Sequence, residues 1–370
     1  RGLNPQDIQY LTDNADEVAS KSKKGLAHAL LSYGLIDNLL SRREQREYLL
    51  SKFGESEDKE TFSRISGFEY FQLIQSEKEV NKSDNEIAVI VARGTIVDGT
   101  QPPGTIGGDS TSNLIKEAHE NKNIKAIVLR VDSGGGGVFA SELIRQELVA
   151  AKEKGIKIIA SMGNVAASGG YWISANAHEI WASHNTITGS IGIFGIVPTF
   201  DRALNEIGIK SDGVKTSSVD LSGNVTQPLD PALSRLMQQE INYGYERFLN
   251  LVSEARNMSA QEVDKIAQGR VWAGSTALEL GLVDNLGNLE EAIERAATLA
   301  EIDEYTTYYP SQELDWRQQL LESFSSALKS FIPEIIRRNI IIEESINSLK
   351  EIDTFNDPKG MYVRCENCVI

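Results

Sequence analysis

From Glu86 onward the chain alternates short β-branched runs with stretches of helix length, and this alternation constrains the fold more than any other feature. Ile87 to Val91 reads as a strand, about Ser112 to Glu120 as a polar helix, and Lys125 to Val131 as the next strand. A second round follows, with a glycine loop at 134–137, an amphipathic helix through Lys154 and a strand from Ile156 to Ser161. Strands interleaved with helices of this length predict α/β units with mostly parallel strands. Asn164 to Ala177 reads as a small-residue turn entering a helix, and Glu179 to Ala182 as a further strand. Residues 230–256 are helical by spacing, with Leu233, Leu236, Met237, Ile241, Tyr245, Phe248, Leu249 and Val252 on one face, a stripe suited to core or subunit contact. Residues 301–370 read as a helical C-terminal extension, charged and amphipathic, in which Phe331, Ile335, Ile336 and Ile340 to Ile342 form the apolar side.

Composition narrows the function. At 370 residues, 41% apolar and 24% charged, the chain is long enough for two or three folded units and is neither disordered nor fibrous. Its 53 Asp and Glu outnumber 37 Lys and Arg, and a net charge of −16 with no basic patch excludes nucleic acid as a partner. No apolar run approaches the roughly 18–20 residues of a membrane-spanning helix. The chain opens on Arg1 rather than Met and carries no signal-peptide pattern, so it reads as processed or cut from something longer. The two cysteines, Cys365 and Cys368, suit a disulfide, an idle thiol pair or a metal shared between chains. One pair cannot close a four-ligand zinc site, so no metal and no cofactor are expected.

An internal comparison is productive. Asn4-Pro5-Gln6-Asp7-Ile8, followed by Gly34-Leu35-Ile36-Asp37-Asn38-Leu39, is matched by Ser259-Ala260-Gln261-Glu262-Val263, followed by Gly281-Leu282-Val283-Asp284-Asn285-Leu286. The first copy carries eight extra residues between its two anchors. On this reading, residues 1 to about 55 are the end of one unit whose main body lies before Arg1.

Two places carry chemistry, each a strand end followed by a small-residue turn and a helix, where active sites of α/β sheets collect. In Leu129-Arg130-Val131-Asp132-Ser133-Gly134-Gly135-Gly136-Gly137, four glycines in a row suit main-chain N–H groups that face a ligand closely, ahead of a helix whose dipole favours an anion. The run reads as a phosphate cradle or an oxyanion hole, and it lacks the Lys-Ser/Thr ending of a P-loop. In Gly163-Asn164-Val165-Ala166-Ala167-Ser168-Gly169-Gly170-Tyr171, a single hydroxyl stands among small residues at the start of a helix. Ser168 is the best nucleophile in the chain, although a serine in that place also suits a helix cap. Ala166 stands where the elbow of α/β-hydrolases has its first glycine. The four histidines, His28, His119, His178 and His184, carry no mark of a partner base. A lysine that loses its proton by desolvation is the other known solution.

Lys125 to Ala140, Ser161 to Ala175, Thr188-Gly189-Ser190-Ile191-Gly192-Ile193 and Gln268-Gly269-Arg270-Val271-Trp272-Ala273-Gly274 together resemble the signal peptide peptidase family, also called protease IV. The resemblance covers about residues 86–300 and points to the long, two-repeat type lacking most of its first repeat. It implies a ClpP/crotonase-like α/β fold of repeated ββα units, with residues 1–80 the tail of the truncated repeat plus linker, 81–300 the peptidase domain and 301–370 the extension. It also implies a serine nucleophile at Ser168 and oxyanion donors at Gly169 and Gly136, with Gly135 the second choice. The substrate groove falls at Thr188, Gly189, Ser190, Ile191 and Gly192, whose strand can pair with an extended peptide. By resemblance the protein is a serine endopeptidase that degrades cleaved signal peptides. It would act as a homotetramer on the periplasmic side of the bacterial inner membrane, anchored through a segment upstream of this chain.

Two departures stand out. Gly134 replaces the proline usual in the family's glycine loop. The stretch Lys215-Thr216-Ser217-Ser218-Val219-Asp220-Leu221 has no lysine at Asp220, where the short members carry their base. The expected base is therefore a lysine in the upstream repeat, with Lys215 the choice if it lies within the chain. Two other readings differ in kind: a catalytically inactive assembly or regulatory subunit of the same fold, and a crotonase-type acyl-CoA enzyme. Sites of the latter usually place acidic residues where this chain has Ala166 to Gly170.

Overall fold

The computed structural model describes residues 3–22, 26–56, 61–67, 69–70, 83–213, 224–310, 357 and 361–364. They fall into two compact units, Arg1–Val80 and Asn81–Ile370. Lys215, the apolar residues of 331–342, Cys365 and Cys368 lie outside the described residues.

The first unit holds helices α1 (Pro5–Asp13), α2 (Ala15–Lys21), α3 (Leu26–Ser32) and α4 (Arg42–Phe53). Asn4 caps α1 by accepting from the Gln6 amide at 3.0 Å, and Ser41 and Glu44 form a capping box on α4. Leu11, Val18 and Ala29 are buried together, with Leu35 packed against them. Gly34 has φ +72°, its amide donates to Leu31 O at 3.1 Å, and the Leu35 amide donates to Leu30 O at 2.9 Å. This pair of bonds is a Schellman stop, which needs a left-handed residue that glycine supplies without a Cβ clash.

The second unit runs β1 (Glu86–Arg93), β2 (Ile96–Val97), β3 (Ile106–Gly107), α5 (Gly108–Glu120), β4 (Ile124–Ser133), β5 (Gly135–Gly137), α6 (Val138–Glu153), β6 (Lys157–Ala167), α7 (Gly169–Ser174), β7 (Glu179–Ala182), β8 (Ile187–Gly189) and β9 (Phe194–Gly195). It continues through α8 (Asp201–Glu206), α9 (Pro231–Arg256), α10 (Ala260–Ile266), β10 (Val271–Ala273), α11 (Gly274–Glu279), β11 (Asn285–Leu286), α12 (Leu289–Leu299), β12 (Thr306–Tyr308) and β13 (Met361–Arg364). Among the described residues the main sheet has the order β10-β8-β6-β4-β1-β12, with β7 on β6 and β11 on β7. All its pairings are parallel except β8 with β10. A second sheet has the order β3-β2-β5-β13-β9.

Both faces of the main sheet are covered, as parallel strands require. Alternate residues Ile90, Leu129, Ala160 and Met162 pack with Ile115, Ile144 and Phe248 from α5, α6 and α9. Ile87, Val89, Val128 and Ile159 face Ala292, Ile293 and Ala296 of α12. Each such side chain that leaves water contributes about 1.5–3 kcal/mol, so this two-sided core carries the unit's stability.

Three expectations change. The strand expected to end at Ser161 runs on to Ala167, because β6 pairs with β7 along Ile159–Ser161 and then with β8 along Val165–Ala167. The small-residue stretch from Asn164 is therefore strand first, and helix only from Gly169. In the region expected to be a helical extension, Thr306–Tyr308 and Met361–Arg364 are strands, because β1 and β5 offer edges that they complete. The apolar stripe of α9 is buried in its later half, at Phe248 and Val252, while Leu236 is exposed.

The second sequence anchor has a structural reason. Gly281 has φ +75°, donates to Leu278 O at 3.1 Å, and is followed by the Leu282 amide donating to Ala277 O at 2.8 Å, the same stop as at Gly34. Asp284 then accepts both terminal nitrogens of Arg256, at 2.6 and 2.9 Å, and the Ile180 amide at 2.7 Å. Arg256 also donates to Gly281 O at 2.7 Å, so one carboxylate joins α9 to β7. The Arg256 side chain is only 9% exposed, against 30% for Asp284. Asp284→Ala strands that guanidinium and should cost about 3 kcal/mol, the low end for a broken buried pair because Asp284 keeps some water. Urea unfolding at pH 7 measures it, and a loss below about 1 kcal/mol would remove the pair from the stabilising set.

Candidate active site

Ser168 lies between the last residue of β6 and the first of α7. Its amide donates to Gly189 O at 2.8 Å, closing the β6–β8 ladder, and its carbonyl accepts from the Trp172 amide at 2.8 Å, opening the helix. The backbone pays for this abrupt change with φ +56° at a non-glycine residue, a region L side chains seldom occupy. The side chain is 1% exposed, and its Oγ is a buried hydroxyl with no hydrogen-bond partner among the described residues. A buried polar atom left in that state calls for a reason, and a nucleophile awaiting its base is one.

The helix after Ser168 is held by its aromatic residues. Tyr171 Oη donates to Leu282 O at 2.8 Å, and burial pushes its phenol well above the ordinary tyrosine range. Trp172 packs against Phe248 with ring centroids 4.7 Å apart and planes tilted by 49°, and its Nε1 donates to Glu142 of α6 at 2.9 Å. Glu142 also accepts from Arg145, at 2.7 and 2.8 Å, and from Gln146 at 2.9 Å. The sequence motif contains Tyr171 and Trp172, but sequence reading missed Glu142, whose only local mark is its place in an amphipathic helix.

The glycine run stands beside this elbow. Ala166 of β6 pairs with Ser133, and a Cβ on Gly170 would lie 2.7 Å from Ser133 O, so α7 and the end of β4 are in close contact. β5 is flanked by β2 and β13, and a Cβ on Gly136 would lie 1.9 Å from Ile96 O. Glycine at 136 is therefore demanded by packing against β2 as well as by any ligand. The Gly135 amide donates to Ser133 Oγ at 3.1 Å, which commits the second-choice donor.

Of the expected groove residues, Thr188 and Ile191 are fully buried, and Thr188 Oγ1 donates to Ala166 O at 2.7 Å. Gly189 continues the ladder with Val271 of β10, and its carbonyl receives the Ser168 amide. Ser190 and Gly192 line a cavity of about 560 Å³, together with Phe194, Ile241, Tyr245 and Arg364. Tyr245 is pushed up to about 12 by burial and by its hydrogen bond to Asp264. Two of the four histidines are engaged elsewhere: His119 between Glu147 and Lys154, and His178 as acceptor of the Ile158 amide at 2.9 Å. No group of metal-ligating side chains occurs among the described residues.

Mostly parallel strands covered by helices on both faces, with a serine elbow at the end of a central strand, define an α/β protein whose candidate site lies where a strand gives way to a helix. Residues 150–303 match the family model described as Peptidase family S49. The chain is 39% identical to Protease 4 of Salmonella typhi over 379 residues, which covers 100% of this chain and 60% of that protein. It is 36% identical to the Synechocystis protein slr0021 over 218 residues, 59% of this chain and 76% of the other. Among solved structures, a ClpP1 mutant from Listeria monocytogenes is 16% identical, with a TM-score of 0.37 over 55% of this chain and 94% of its own. The chain belongs to peptidase family S49 and spans about 60% of the length of the Salmonella relative.

Burial pushes the Glu142 carboxyl up, but the hydrogen bonds from Arg145, Gln146 and Trp172 outweigh it and hold the group below the usual carboxylate range. A carboxylate depressed in the folded state contributes stability that is full above its unfolded value, about 4.3, and is lost as pH falls through the lower folded value. Glu142→Gln should therefore destabilise the chain at pH 6–7, with the gap to the parent closing only as pH falls below the unfolded value and through the lower folded one. Denaturant midpoints across that range test it, and a gap independent of pH would show that the ionised form is not what clamps Trp172.

Proposed function

We propose that this chain is the nucleophile-bearing part of a serine endopeptidase acting through a Ser-Lys dyad. The observation that carries the reading is Ser168 Oγ, buried and unpartnered at a positive-φ elbow that opens a helix beside a glycine strand. Ser168 attacks the substrate carbonyl while a neutral lysine takes its proton. The oxyanion is held by the Gly169 amide, at the start of α7, and by Gly136, whose neighbour Gly135 already donates to Ser133. The lysine returns the proton to the leaving amine, and water then hydrolyses the acyl-enzyme.

The base is a lysine upstream of Arg1. Two features support this: His119 and His178 are engaged away from Ser168, and the chain spans about 60% of the length of Protease 4 of Salmonella typhi. Lys215 is the second choice. The substrates are cleaved signal peptides at the membrane, and the assembly is a homotetramer on the periplasmic side of the bacterial inner membrane, anchored by a segment outside this chain. Exposed apolar residues at Leu236, Tyr243, Ile207 and Ile209 favour self-association. The sequence likeness to the signal peptide peptidase motifs supports the substrate class.

Peptide hydrolysis by this chain and by a form extended upstream through one repeat, each with Ser168→Ala, tests the reading. Activity is expected only in the extended form, with Ser168→Ala lowering kcat by at least ~10⁴-fold. Activity in the shorter form that vanishes with Lys215→Ala would move the base to Lys215. Hydrolysis surviving Ser168→Ala would overturn the assignment of the nucleophile.

A further inference from the structure

The strand that carries Ser168 is not regular. β6 pairs with β7 as far as Ser161 and with β8 from Val165. Between the two, its other edge opens into a bulge: Val131 of β4 faces Met162 and Ser133 faces Ala166, so Asp132 alone opposes Gly163, Asn164 and Val165. A bulge bends its strand and takes main-chain groups out of the ladder, and those groups need other partners. Side chains supply them here. At the start of the bulge, Arg130 Nη1 donates to Met162 O and to Ser161 Oγ, both at 3.0 Å. At its end, Asp132 Oδ1 accepts the Val165 amide at 3.1 Å, and in its middle Thr186 Oγ1 donates to Gly163 O at 2.7 Å. A Cβ on Gly163 would lie 3.0 Å from Asp132 Cγ, so glycine there leaves the carboxylate its seat. Arg130 and Asp132 are both half-buried and stand two apart on β4, on one face of the sheet. Both belong to the motif that leads into the glycine run, and neither has a part in the dyad.

We propose that Arg130 and Asp132 are positioning residues of the candidate active site. By gripping both ends of the bulge they fix where β6, having left β7 for β8, delivers the elbow at Ser168. The two divide the task by chemistry, since a guanidinium can only donate, to a carbonyl, and a carboxylate can only accept, from an amide. Asp132 is also the chain neighbour of Ser133, whose ladder partner is Ala166 and whose Oγ accepts the Gly135 amide. The carboxylate therefore couples the glycine run to the elbow, and a shift of one carries the other. An apolar side chain at either position loosens the bulge and lets Ser168 drift from the oxyanion donors, and a misplacement of about 1 Å costs on the order of 10²-fold in rate. The proposal deepens the peptidase reading and rests on it for the reaction; the bulge and its bonds stand without it.

The test uses the upstream-extended form as parent and as Asp132→Ala, Asp132→Asn and Arg130→Met, with peptide hydrolysis and native-state hydrogen exchange at the Val165 amide as readouts. Asp132→Ala and Arg130→Met should each lower kcat roughly 10- to 100-fold with KM within about threefold, the split expected when attack geometry rather than substrate binding is lost. Asp132→Asn keeps an acceptor oxygen and should hold kcat within about fivefold of the parent. Loss of the bond to the carboxylate should speed Val165 exchange at least ~10-fold in Asp132→Ala, and the Asn variant should restore most of the protection. Parental kcat in Asp132→Ala or in Arg130→Met overturns the proposal, as does a fall in Asp132→Asn equal to that in Asp132→Ala. A measurement free of variants guards against misfolding: a Val165 amide that exchanges at the free-chain rate in the parent overturns the proposal as well. No hydrolysis by the parent, with Val165 exchange responding to Asp132→Ala as expected, sinks the peptidase reading alone. Hydrolysis that Ser168→Ala abolishes and Asp132→Ala leaves at the parental rate sinks the positioning role alone.

Discussion

A single residue ends a sheet ladder and begins a helix in this protein, and the surrounding structure is arranged to hold it there. The Ser168 amide belongs to the β6–β8 pairing and its carbonyl to the first turn of α7. Backbone in such a region costs on the order of 1–3 kcal/mol and persists only where neighbours over-determine it. Here the neighbours are on every side: β8 receives the amide, Leu282 takes the Tyr171 hydroxyl, and Glu142 takes the Trp172 indole. Small residues before the elbow let β6 run against β4 and β8 without displacing them, with Ala166 and Ala167 fully buried.

What was legible in the sequence was what is local. Ser168 and the glycine run announce themselves because small residues cluster where strand gives way to helix, and the parallel α/β architecture follows from the alternation of runs. The partners that finish the site are distant in sequence. Glu142 lies 30 residues before Trp172, Leu282 111 residues after Tyr171, and Asp357 218 residues after Phe139. No periodicity carries such a signal. The same limit explains the missed end of β6: its later half is a strand only because β8 arrives to pair with it. It explains the strands at 306–308 and 361–364 too, which form on edges that the rest of the sheet provides.

The glycine run also had a second cause that sequence reasoning did not supply. A close approach to a ligand and a close approach to another strand make the same demand on a residue. At Gly136 the backbone of Ile96 already claims the space of a side chain. Packing against β2 is by itself enough to select glycine here, and a substitution at 136 would push β5 off β2. Gly169, which follows Ser168, sits at the start of a short buried helix whose side chains serve as its anchors.

The long helix α9 is fastened at one end. Phe248 and Val252 are fully buried, and Arg256 is bolted to Asp284 and Gly281, whereas Leu236 and Tyr243 stand in solvent. The residues it lends to the cavity, Gln238 to Tyr245, span the change from exposed to buried surface, and Tyr245, bonded to Asp264, closes that stretch. The elbow rests on the buried end through the contact of Trp172 with Phe248, so a single helix joins a wall of the cavity to the support of the elbow.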